Sequence, residues 1–205
     1  MIVTVSREYG AASQGICAAV ADRLGYRLVS RELPVVVAAR LGMPADVVET
    51  VSERPRRFGE RLLDQFSGGV PETSQPGSSV EYDLTAETRR ALEVAVREIA
   101  AAGNAVIVGR LAGAILGARQ DVVRVFVHAP AAWRIAHVVG SFGCSEREAR
   151  AEIARIDDAR RSYAKEFYQI VWDDPRNYDL VLQSSRFGVD GSAEAIVAAV
   201  RAAGG

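Results

Sequence analysis

Lysine is almost missing from this chain: Lys165 stands alone among 25 Lys+Arg residues. A site that needs a compact ammonium charge is therefore excluded nearly everywhere, and any cationic site has to be built from the planar forks of arginine. Arginine enrichment of this kind is also what a G+C-rich coding sequence produces. Cysteine is scarce too. Cys17 and Cys144 are far apart and form neither a disulfide framework nor a metal pattern, which points to a reducing compartment. Two histidines, His128 and His137, are too few for a metal cluster. Net charge is nearly absent: 25 Lys+Arg against 26 Asp+Glu leave −1, so no global field draws the chain to nucleic acid or to an anionic membrane. Neither partner is expected, and a basic site has to be local. No apolar run reaches the ~18 residues of a membrane span. The opening Met1-Ile2-Val3-Thr4-Val5 goes straight to Arg7 and Glu8 without a basic leader, so the reading is cytoplasmic.

What the chain does have fits a single domain over 1–205. Its 205 residues are 49% hydrophobic and 25% charged, enough to bury about 70% of the unfolded surface. Residues 2–5 form a β-branched run, followed by the loop Ser6 to Ser13 and by Ile16, Ala19, Val20 and Leu24 at helical spacing. Strand, tight loop and helix in that order put the unpaired amides of a helix start beside the carboxyl end of a buried strand, where phosphates bind. Ala105–Val108, Val122–Val127 and Leu180–Leu182 repeat the strand signal, with helices between them and a last one near Ala193 to Ala202. The alternation predicts an α/β fold around a parallel sheet covered on both faces.

Two stretches fall outside that alternation. Residues 31–66 read as helices punctuated by Pro34, Pro44 and Pro55, then lead into a long Gly/Pro/Ser loop from Ser67 to Ser79. Residues 145 to about 167 read as a charged helix opened by the capping box Ser145 and Glu148.

The first loop is the sharpest chemical lead. A standard phosphate loop, G-x-x-x-x-G-K-[ST], uses glycines for close backbone approach, lysine for the β and γ phosphates, and a hydroxyl for Mg²⁺. Gly10-Ala11-Ala12-Ser13-Gln14-Gly15 supplies the two glycines, but Ile16 and Cys17 occupy the lysine and hydroxyl places. On pattern, a phosphate cup and a plain tight turn both remain open.

Four blocks in order carry a resemblance: Val3 to Gly10, Val106 to Arg110, Val125 to Pro130, and Asn177 to Ser185. Together the chain resembles the cytidylate kinase-like family. The resemblance implies a P-loop kinase three-layer fold with a five-stranded parallel sheet, a helical acceptor-binding insertion (31–90) and a helical lid (145–175). It also implies site residues. Ser6, Arg7, Gly10, Ala11, Ala12, Ser13, Gln14 and Gly15 match the phosphate loop. Ser30, Arg31 and Arg110 match acceptor-binding positions. Arg155, Arg160 and Arg161 stand in or near the lid's catalytic arginines, with Asp157 at a family position. Cytidylate kinases carry an Asp on each side of the Gly-Arg pair, and this chain has Val108 and Leu111 there.

The activity implied is ATP-dependent phosphoryl transfer to a nucleoside monophosphate, CMP or dCMP by default, with Mg²⁺ arriving with ATP and nucleotides as the partners. Arginines suit it, because the transferring group spreads charge over three oxygens that guanidinium groups neutralise. The alternative is a catalytically degenerate nucleotide- or anion-binding module, a sensor or partner subunit on the same fold. Residue by residue, structural readings compete: Asp157 with Arg160 and Arg161, and Glu152 with Arg155, have the spacing of surface ion pairs. Arg7 and Glu8 form a possible pair, and Tyr163, Phe167, Tyr168 and Trp172 have the spacing of core anchors. Acceptor identity and oligomeric state are left open.

Overall fold

The computed structural model describes residues 1–30, 32–42, 44 and 79–204, with side chains from residue 86 onward in the helix that opens at 79. Arg31 and the Ser67–Ser78 loop lie outside the described residues. So does most of the insertion expected over 31–90.

The elements follow one another as β1 (Ile2–Arg7), α1 (Ser13–Leu24), β2 (Arg27–Val29), α2 (Glu32–Leu41), α3 (Ser79–Ala102), β3 (Ala105–Val108), α4 (Ala112–Leu116), β4 (Val122–His128), α5 (Ala131–Phe142), α6 (Glu146–Tyr168), a 3₁₀ turn (Pro175–Asn177), β5 (Leu180–Gln183) and α7 (Ser184–Gly204). The strands form one five-stranded sheet in the order β2-β3-β1-β4-β5. Every pairing is parallel.

Alternation along β1 separates two apolar layers. Val3 and Val5 point into a core shared with Ile16 and Val20 of α1 and Ile196 and Val197 of α7. Ile2, with Ile107 of β3, faces Leu33 and Val37 of α2 and Leu92 and Val96 of α3 on the other side. The chain leaves β1 into α1 on the first face and leaves β3 into α4 on the second. Adjacent strands whose connections depart to opposite faces open a crevice at their carboxyl ends.

The sequence reading found four strands and overlooked β2. That strand is three residues long, starts with Arg27 and has its one fully buried side chain at Val29, so it makes no apolar run. The last helix begins at Ser184 rather than near Ala193, because a bend at Gly188 (φ 65, ψ −172) divides it and hides its first turn from helical spacing.

Cys17, on the buried face of α1, is 1% exposed, and burial pushes its thiol up to about 12. A disulfide-exchange reagent is therefore expected to titrate one thiol, Cys144, in the folded protein and both after denaturation. Equal rates for the two thiols in the native state contradict this packing.

Ser145 caps α6 as expected: its hydroxyl accepts from the Glu148 amide, while the Glu148 carboxylate accepts from the Ser145 amide at 2.9 Å. The Ser145 hydroxyl, donating to that carboxylate at 2.6 Å, and after it the Ser145 amide hold the Glu148 carboxyl below its ordinary value. Replacing Ser145→Ala should lower Tm by about 2–4 °C. A group whose folded pKa is depressed stabilises above its unfolded pKa, so the carboxylate's share of that loss fades as pH falls through the acid range. Thermal melts at neutral and acid pH check both points.

Candidate active site

β1 and β3 end side by side. Val5 pairs with Val108, and the Gly109 amide donates to the Val5 carbonyl at 2.9 Å. The next residues, Ser6 and Arg7 on one strand and Gly109, Arg110 and Leu111 on the other, form the floor of a cleft walled by Arg160, Tyr163 and Trp172. Its volume is about 30 Å³, room for a water or two; a whole nucleotide requires the walls to part.

The floor has an unusual backbone. Gly109, Arg110 and Leu111 follow one another with φ of 80, 56 and 52. Left-handed conformations at non-glycine residues cost about 1–3 kcal/mol each, and such strain gathers at functional sites. The turn swings the chain from β3 into α4 and leaves the Arg110 side chain against the cleft, only 8% exposed as a residue. Gly109 has a second constraint, since any side chain there would collide with the Arg7 guanidinium. Arg7 thus sets one end of its guanidinium against the Gly109 backbone.

The wall is fixed by aromatic packing. The Phe126 ring meets Trp172 edge-on at 5.3 Å and Tyr178 at 4.9 Å, and the Tyr178 hydroxyl donates to the Trp172 carbonyl. Tyr163 is buried, which pushes its phenol up to about 12 against the opposing pull of the Arg89 and Arg110 guanidiniums. It stays an O–H donor at neutral pH. The core-anchor reading of Tyr163 and Trp172 is right, and the same two residues line the cleft.

The β1–α1 loop runs beside the cleft and is held by buried charges. Asp157 of α6, 2% exposed, accepts from the Tyr9 amide at 2.9 Å through one oxygen and from Arg134 of α5 at 2.6 Å through the other. Arg134 also donates to the carbonyls of Tyr9 and Ala129, both at 3.1 Å. Glu8 turns away from Arg7: its carboxylate accepts from the Ala129 amide at 3.0 Å and lies 3.3 Å from Arg134. The Arg7–Glu8 pairing is therefore replaced by a Glu8–Arg134 contact. Arg160 donates to the Arg7 carbonyl at 2.9 Å and lies 3.6 Å from Asp157. Removing one member of a buried ionic group typically costs about 3–5 kcal/mol.

Beyond this anchorage, Gly10 adopts φ 82 and packs against α5, where an added Cβ would stand 2.9 Å from Val138 and 3.1 Å from the Arg134 carbonyl. Ala11 is buried, and Ala12 takes the left-handed N-cap position of α1 with no side-chain cap bond. The α1 start at Ser13, Gln14 and Gly15 is left with its helix-initial amides, a place suited to anions.

The anticipated site residues separate accordingly. Ser6, Arg7, Arg110 and Arg160 come together at the cleft, with Gly10 to Gly15 forming the adjoining loop. Arg161 stands next to the wall, 5.9 Å from the Trp172 ring centre, and pairs with Asp158 and Asp173. Arg155 is not brought to the cleft; it pairs with Glu152 and borders a separate groove with Tyr9, Phe142 and Cys144. Ser30 follows β2 at a bend, half-buried. Sequence reasoning missed Arg134, because an arginine in the first turn of an amphipathic helix looks like any other. No group of three or more potential metal ligands occurs among the described residues. Nor is any described helix long and apolar enough to cross a membrane.

A parallel sheet in this order, with a strand–loop–helix turn and an arginine-lined crevice at its carboxyl edge, defines a P-loop kinase fold. The chain belongs to the cytidylate kinase-like family, whose model matches residues 2–186. It is 32% identical over 125 residues to a cytidylate kinase of Methanoculleus marisnigri, covering 60% of this chain and 67% of that one. It is 24% identical over 202 residues to a cytidylate kinase of Halobacterium salinarum, covering 98% and 90% respectively. Among solved structures, an uncharacterized protein from Eubacterium ventriosum superposes with a TM-score of 0.67 at 18% identity, over 98% of both chains. Shikimate kinase from Bacteroides thetaiotaomicron superposes with 0.52 at 12% identity, again over 98% of both. These two show the fold.

Gly109→Ala tests the floor. The substitution combines a left-handed backbone with a collision against Arg7, so we expect a loss of about 1–3 kcal/mol in stability. A structure of the variant should show Arg7 displaced. Unchanged stability together with an unmoved Arg7 contradicts this geometry.

Proposed function

We propose that this protein is an ATP-dependent nucleoside monophosphate kinase with CMP or dCMP as acceptor. The observation that carries the reading is the convergence of Arg7, Arg110 and Arg160, from three separate segments, on one cleft beside an uncapped helix start. The family and the names of the two relatives support the nucleotide, and those names support cytidine as its base.

The chemistry suits these groups. The acceptor's phosphate oxygen is already ionised near neutral pH, since a phosphate monoester has its second pKa near ~6, so attack on the γ-phosphorus needs no general base. The barrier lies in bringing two polyanions together. Two unit charges 4 Å apart repel by about 4 kcal/mol at an effective dielectric of ~20. Arginines on both strand ends and on α6 offset that repulsion and follow the charge onto the transferring group. The α1 amides and the loop backbone hold the donor phosphates. Arg110 holds the acceptor phosphate, and Tyr163 offers its neutral hydroxyl.

Mg²⁺ would accompany ATP on phosphate oxygens and water. The carboxylates beside the loop, Glu8 and the α6 residue Asp157, are engaged by Arg134 and by backbone amides and do not form a cation site.

A steady-state assay with ATP and a panel of monophosphates tests the reading. Arg110→Ala is expected to lower kcat/KM by about a hundredfold or more, with CMP or dCMP the best acceptor. Wild-type turnover no better than the Arg110→Ala, Arg160→Ala double variant would overturn it. Thermal stabilisation by nucleotide without product would assign the same cleft to a binding module.

A further inference from the structure

The buried group around Asp157 lies beside the cleft rather than in it. Its position relative to the loop is specific. Tyr9 is gripped on both sides of its residue, with Asp157 Oδ1 accepting from its amide at 2.9 Å and Arg134 donating to its carbonyl at 3.1 Å. The two gripping side chains are joined to each other at 2.6 Å. Two residues earlier the Arg7 carbonyl accepts from Arg160 at 2.9 Å, and one residue later Gly10 is wedged against Val138. The backbone is therefore pinned at residues 7, 9 and 10 by α5 and α6, and the Glu8 amide between them donates to the Val127 carbonyl of β4 at 3.0 Å. After the buried Ala11 come the left-handed Ala12 and the first amides of α1.

We propose that Asp157 and Arg134 are positioning residues for the donor side of the site. Together they form a latch that sets the direction of the loop amides and couples the middle of α6 to the loop before any nucleotide arrives. The inference rests on the kinase reading of the neighbouring cleft and goes beyond it in dividing the labour. Asp157 neutralises no transferring group; it spends both oxygens on the loop and on Arg134. Arg160, one turn further along α6, reaches the cleft because its helix is docked at Asp157. Standard phosphate loops take part of their organisation from the bound lysine. Here Ile16 stands at that place, and the latch supplies the order from outside the loop.

Two measurements decide it. The first is hydrogen exchange of wild-type protein without nucleotide, which is independent of any activity. The Tyr9 amide should be protected about a hundredfold or more relative to an open loop. Exchange at the unprotected rate would overturn the latch. The second is kinetic, on Asp157→Asn, which keeps the shape but turns an amide N–H₂ toward Arg134 or toward the Tyr9 amide. We expect KM for ATP to rise, or kcat to fall, by about tenfold to a hundredfold, while KM for the acceptor, set by Arg110 on β3, stays within about twofold. Arg134→Lys, which retains the charge and fewer donors, should lie between wild type and Asp157→Asn. Equal changes in both KM values, or none in a folded variant, would sink the assignment. Should Asp157→Asn fail to fold, the wild-type exchange decides. Should the wild type transfer no phosphate to any monophosphate, the proposed function falls, and the Tyr9 exchange still decides whether the latch exists.

Discussion

Crowding like charges is the constraint on which this site depends. Arg7, Arg110 and Arg160 line one small cleft, and a guanidinium cannot shed its proton to relieve the repulsion as a buried lysine can. Around Arg160 the protein places compensating groups. Asp157 stands 3.6 Å from Arg160, the Arg7 carbonyl accepts from Arg160, and the Trp172 ring lies 6.0 Å from the Arg160 guanidinium carbon. These groups offset the positive field only in part, so an entering anion gains more than it would in water.

Rigidity comes from backbone geometry as much as from side chains. Arg7 lies over Gly109 because no side chain is there to prevent it, and Arg110 reaches the crevice because the chain takes three left-handed steps in succession. The cost of those steps is borne by the packing of β3, Leu111 and Ala112 into the core around them. Likewise the β1–α1 loop keeps its course because α5 and α6 grip it with buried charges that have few alternative partners. The crevice is thus a meeting of the end of β1, the turn after β3, α6 and the segment that carries Trp172, none of which could make it in isolation.

The two halves of the molecule were unequally legible. The buried strands β1, β3 and β4 announce themselves as runs of β-branched residues, and α6 announces its start through the Ser145–Glu148 box, because those signals are local. β2 gave no such signal; three residues with one buried side chain become a strand only when β3 lies alongside. Arg110 was legible as a cation one step beyond a buried strand. Arg7 was ambiguous, since its neighbour Glu8 offered a partner that folding instead gives to Arg134.

Sequence by itself determined the parallel α/β alternation, the family, the near-absence of lysine, and the positions of the strand ends that meet at the cleft. Those follow from periodicity and residue type, which act over a few neighbours. Tertiary structure alone decided which arginines share a cleft and which spend their charge elsewhere: Arg160 is turned to the cleft, while Arg155 pairs with Glu152 on the same helix, five residues away. It also decided that Asp157, spaced for an intrahelical ion pair and lying 3.6 Å from Arg160, is in addition the anchor of a loop 148 residues distant. Ion pairing has no periodicity to read, because its energy depends on distance and burial in three dimensions, and those exist only once the sheet has brought its strand ends together.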